Sequence, residues 1–98
     1  MARLIYSQQA FADLDRLTDF LLQTEPTAVT ETIHLITEAI QILNNHPLIG
    51  RAVEQELREL VISRGQSGYL ALYSYEQKED VVLILAIHHQ REAGYTPD

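Results

Sequence analysis

At 98 residues the chain is short enough for one domain, residues 1–98, and its 46% apolar content argues against disorder. It has no cysteine, which excludes a disulfide framework and thiolate metal sites. Fourteen acids against seven bases give a formal charge of −7, unlike the basic footprint of a free-standing nucleic-acid binder. Direct nucleic-acid binding is therefore not expected. The bases are uneven, however: Arg51, Arg58, Arg64, Lys78 and Arg91 fall in the second half, which leaves room for a local positive face.

Arg3 to Tyr6 reads as a first strand. No long apolar run follows Arg3, so no targeting segment is expected there. Ser7 is placed to cap a helix over 8–23, because its hydroxyl can accept from a first-turn N–H. Ala10, Leu14, Leu17 and Leu21 form the apolar stripe, with Phe11 and Phe20 widening it. Asp13, Asp15, Arg16 and Asp19 fall mainly on the other side. Pro26 interrupts the helical pattern, and Thr27 can cap a second helix running to about Asn45. Val29, Ile33, Ile36, Ile40 and Leu43 alternate spacings of four and three, as a packed helix does. The short break between the helices implies an antiparallel hairpin.

Asn44-Asn45-His46-Pro47 ends the second helix, and Leu48 to Glu56 reads as a connector. Leu57 to Ser63 is a strand, and 65–68 a turn. From Tyr69 to Tyr75 the residues alternate, with Tyr69, Tyr73 and Tyr75 on one side. Glu76 to Asp80 is a polar hairpin loop. Val81 to His88 is apolar almost throughout and reads as the central strand; its run to Ile87 is too short to span a bilayer. A polar tail containing Gly94 and Pro97 follows. The predicted fold is a two-layer α+β domain, a helical hairpin on a small antiparallel sheet in the order β-α-α-β-β-β. A soluble cytoplasmic protein with no membrane contact is expected.

Four stretches, in order, carry a resemblance to a known family. "LIYSQQAFADLDRLTDFL" resembles a strand-to-helix pattern S-x-x-A-x-x-D-L, and "AIQILNNHPLIGR" a helix exit into H-P-x-x-G-R. "LRELVISRGQSGYLALYSY" looks like an R-x-L strand with its hairpin, and "VVLILAIHHQREAGY" like a last strand ending in histidine and arginine. Together they resemble the RelE/ParE toxin family, and within it the ParE-like plasmid-stabilisation group. The resemblance implies a growth-inhibiting toxin held inactive by a cognate antitoxin. RelE-like members cleave messenger RNA on the ribosome. ParE-like members share the fold and act on DNA gyrase.

Cleaving RNA needs a base, an acid and cations to stabilise the phosphorane. The ribonuclease pattern on the third strand is Y-R-x-x-Y, and here Tyr69-Leu70-Ala71-Leu72-Tyr73 places leucine where the arginine would be. Leucine cannot contact phosphate, so the expected action is binding of a target such as DNA gyrase. The enzyme alternative would use His88 or His89, with Arg91 and Tyr95. A third alternative is an antitoxin-binding module without toxicity. Neighbouring strand residues point opposite ways, so one of His88 and His89 should pack against the helices and the other face outward. His34, His46, His88 and His89 do not make a metal site on this reading, and no cofactor is implied. Arg51, Arg58, Arg64 and Arg91 are candidates for a cationic rim that meets the partner. Tyr69, Tyr73 and Tyr75 are candidates for an anchoring patch on an uncovered sheet face.

Overall fold

A computed structural model describes residues 1–64 and 67–92. Among the described residues, five strands and two α-helices follow one another as β1 (Arg3–Tyr6), α1 (Gln8–Thr24), α2 (Val29–Gln41), β2 (Arg51–Glu54), β3 (Leu57–Arg64), β4 (Ser67–Glu76) and β5 (Val81–His89). Ser7 caps α1 as its residue type demands: its Oγ accepts from the Ala10 N–H at 3.0 Å. Thr27 does not cap α2. Pro26 starts a 3-10 turn to Ala28, which enters α2 already in helical backbone, so no extended residue stands where a side-chain cap would form. The far end of α2 tightens into another 3-10 turn over Ile42–Asn44.

The sheet order is β1-β5-β4-β3-β2. Three features depart from the sequence expectation. The connector contains β2, which pairs antiparallel with β3 through a tight turn in which Gln55 takes φ 46°. β1 pairs parallel with β5, from Arg3 opposite Val81 to Tyr6 opposite Ile84, so the sheet is mixed. No hairpin links these two strands, and nothing forces the antiparallel sense. Finally, β5 is an inner strand but not the central one; β4 takes that position.

The helices cover one face of the sheet. Ile36, Ile40 and Leu43 from the second helical stretch meet Tyr69, Ala71, Tyr73, Val82, Ile84 and Ile87 in a single core. Each fully buried aliphatic side chain there stabilises the fold by about 1.5–3 kcal/mol. A bulge sets the inward parity of β5. Leu72 pairs with Ala86 and Tyr73 with Ile84, which leaves Leu85 without a ladder partner. Ile84 and Ile87 can therefore both be buried although three positions apart.

Phe11 and Phe20 do not extend the apolar stripe inward: both are more than half exposed, and Phe11 stacks on Tyr6 at 5.6 Å between ring centroids. Asp13, read as a solvent-side residue, is fully buried.

Candidate functional site

The face of the sheet that the two helices leave open follows from the strand registers, because directly paired residues project to the same side. Val61, Leu70 and His88 form one row across β3, β4 and β5, and Glu59, Leu72 and Ala86 form the next. Leu57, Ser74 and Leu83 form a third row, extended by Ile5 of β1. Val61 is 50% exposed and Ile5 42% exposed. This face is thus a mainly apolar strip. Within it Glu59 is buried and ion-paired with Arg51, its register partner on the edge strand β2.

The tyrosines lie on the opposite face, which corrects the expected anchoring patch. Tyr69 and Tyr73 are core residues, and Tyr75 is half-buried with its hydroxyl donating to Asp80 Oδ1 at 2.7 Å. Alternation in β4 separated two faces, but only the tertiary structure shows which one the helices cover. Burial raises the Tyr73 pKa, offset in part by the Gly50 N–H, which donates to its hydroxyl at 2.8 Å. Arg58 belongs to the same arrangement. Its Nη1 donates to the carbonyls of Leu48 at 3.0 Å and Gly50 at 2.7 Å. Tyr73 and Arg58 together hold the loop that leads into β2, and Gly50 has no room for a side chain: an added Cβ would lie 2.5 Å from the Tyr73 hydroxyl. Arg51 and Arg58 are thus held by this chain's own groups. The side chain of Arg64, and Tyr95 with the rest of the tail from residue 93, lie outside the described residues.

The two histidines diverge. His88 faces the open side beside Leu70. His89 faces the helices, edge-on to Tyr69 at 5.2 Å between ring centroids, and its Nδ1 accepts from the Arg91 N–H at 3.0 Å.

A cluster that the sequence did not reveal surrounds the end of β5. Beyond Tyr6 no strand among the described residues runs beside this edge of β5, and side chains take the strand's place. Ser7 N–H donates to the Ile84 carbonyl at 2.9 Å and Ser7 Oγ to that of Leu85 at 3.1 Å. Asp13 Oδ2 accepts from the Ile87 N–H at 2.8 Å, and Arg16 Nη2 donates to the Ile87 carbonyl at 3.2 Å. Glu92 Oε1 accepts from the His89 N–H at 2.8 Å. Arg16 ties these together, 2.5 Å from Asp13 Oδ1 and 2.7 Å from Glu92 Oε2.

Burial alone would raise the Asp13 pKa; hydrogen bonds from Ile87, Gln9 and Arg16 outweigh it and hold the carboxyl below its usual range. Glu92 is likewise lowered, burial being outweighed by Arg16 and the His89 N–H. The Arg16 pKa is raised, chiefly by Glu92 and then by Asp13. The only sequence signal was the i, i+3 pair Asp13–Arg16, which is common on solvated helices; the partners on β5 lie more than seventy residues away.

A helical hairpin packed on one face of a five-stranded mixed sheet is the RelE/ParE-like topology. Residues 4–94 match the model of the family described as the ParE toxin of type II toxin-antitoxin system, parDE. The chain is 36% identical to Toxin RelE3 of Caulobacter vibrioides over 86% of its own length and 89% of that protein's. In fold it resembles the chromosomal ParDE system of P. aeruginosa, with TM-score 0.74, 23% identity, and 90% of this chain and 95% of that one covered. It also resembles the isolated E. coli RelE toxin, with TM-score 0.64, 11% identity, and 96% and 89% covered. The chain belongs to the ParE toxin family and is the toxin component of a type II toxin–antitoxin system, which implies a cognate antitoxin as its partner. No helix among the described residues is long and apolar enough to cross a membrane.

Proposed function

We propose that this toxin inhibits growth by gripping a protein target, DNA gyrase, in the cytoplasm through its open sheet face, and that it does not cleave RNA. The observation that carries this reading is the row Val61–Leu70–His88. A ribonuclease needs cations beside its acid and base to stabilise the phosphorane. Here the two residues in line with His88 are aliphatic. In the next row Glu59 holds the guanidinium of Arg51. A strip of half-exposed aliphatic side chains suits the core of a protein interface, where charged residues are depleted. The net charge of −7 favours a protein partner over RNA in the same way.

Induced expression tests the proposal when messenger integrity, plasmid supercoiling and growth are followed separately. Growth arrest with altered supercoiling and intact messages is expected. Codon-positioned cleavage of ribosome-bound messages would overturn the proposal in favour of the ribonuclease reading, with His88 and Arg91 as first candidates. Normal growth with folded protein would leave only an antitoxin-binding module.

A further inference from the structure

A cavity of about 520 Å³ lies between α1 and the end of β5, on the helix side and away from the open face; Arg16, Leu17, Phe20, His89, Arg91 and Glu92 line it. We propose that it is a docking pocket for the antitoxin, taking an apolar side chain that stands within one helical turn of an acidic residue. The inference rests on the toxin–antitoxin assignment above and adds where, and by what chemistry, part of the partner is held.

Three observations carry it. The first is the lining. Leu17, the half-exposed ring of Phe20 and the edge of His89 offer an apolar floor, and a large exposed aromatic in a concave site is the usual seat of an interface anchor. The second is charge. Arg16 is consumed by Asp13 and Glu92, whereas the Arg91 guanidinium has no partner among the described residues. At −7 the chain as a whole repels an acidic segment, so an acid is tolerated only where a cation meets it directly. Arg91, beside an apolar floor, provides that position. The third is rigidity. The Asp13–Arg16–Glu92 clamp fastens β5 to α1, so both walls are set before anything binds and little ordering is required. The clamp also occupies the backbone groups of Ile87 and the His89 N–H on this edge. A partner strand cannot pair there, and the partner must engage through its side chains.

The test uses the full chain and, as probe, the small protein encoded by the adjoining reading frame. Its affinity is measured by calorimetry for the unaltered toxin, Arg91→Glu, Phe20→Ser and Lys78→Glu, the last being an equal charge change in the distant hairpin loop. All three positions are exposed, and circular dichroism confirms folding. Arg91→Glu and Phe20→Ser are each expected to weaken binding at least about tenfold, with Lys78→Glu within about twofold. Replacing the facing antitoxin acid by lysine should restore affinity for Arg91→Glu alone. If the probe binds but Arg91→Glu weakens it no more than Lys78→Glu does, the effect is long-range charge and the pocket inference fails. If both pocket variants bind normally, it fails while the partner assignment stands. If the unaltered toxin does not bind the probe, that assignment fails first. If sedimentation shows Arg91→Glu splitting a toxin dimer, the occupant is a second copy and the inference is wrong.

Discussion

Asp13→Ala is the sharpest perturbation of this fold. The carboxylate is fully buried and accepts from the Ile87 N–H at 2.8 Å, Gln9 Nε2 at 2.9 Å and Arg16 Nη1 at 2.5 Å. Alanine leaves the Ile87 N–H buried without its acceptor, a loss of about 1–3 kcal/mol. The bonds from Arg16 and Gln9 come from exposed side chains, so together they add only about 1 kcal/mol. The expected destabilisation is about 2–4 kcal/mol, a large share of the roughly 5–15 kcal/mol that holds a domain folded. Tm should fall by roughly 10–25 °C.

The loss should depend on pH in a definite direction. Asp13 and Glu92 both have folded pKa values below their ordinary ones. In acid the unfolded chain therefore binds protons first. The stabilisation is complete above the ordinary carboxylate range and disappears as pH falls through the lowered folded values. Urea melts of the unaltered chain and of Asp13→Ala should differ most near neutrality and converge in acid. If the two differ by less than about 0.5 kcal/mol at neutral pH, within the range of an ordinary surface substitution, the clamp is not holding β5 and the reasoning fails.

Gly50→Ala should destabilise by about 1–3 kcal/mol, because the new methyl meets the buried Tyr73 ring and hydroxyl; a urea midpoint equal to that of the unaltered chain would refute it. Arg51→Ala should weaken the fold by about 1–2 kcal/mol by removing the guanidinium from the buried Glu59 carboxylate, a figure reduced because Arg51 is itself two-thirds exposed. Glu59→Gln in the same background should recover part of that loss, and its failure to do so would separate the effect from charge.

The elements that the sequence revealed are those built on local periodicity. The stripes of α1 and α2 and the alternation of β4 survive in the structure because burial enforces them. β2 stayed hidden because it is only four residues long and its turn, Gln55-Glu56, lacks the Asn-Gly or Asp-Gly signal that favours left-handed backbone. The side of the sheet on which the tyrosines lie was not legible, since alternation distinguishes two faces without naming the covered one. Parity at the end of β5 depends on the bulge at Leu85, which no local pattern announces. Asp13 looked solvent-facing because its main acceptor role is toward a backbone N–H brought to it by the fold.

His88 and Leu70 are register partners on the open face, so substituting them one at a time separates catalysis from contact. The direct measurement is growth inhibition on induced expression of His88→Ala and Leu70→Glu, each shown to be folded by thermal melting. If the toxin grips a protein, His88→Ala should keep its potency within about twofold and Leu70→Glu should lose at least about tenfold, as an interface anchor does. Loss of toxicity in His88→Ala together with the disappearance of message cleavage, while Leu70→Glu stays toxic, would contradict the account.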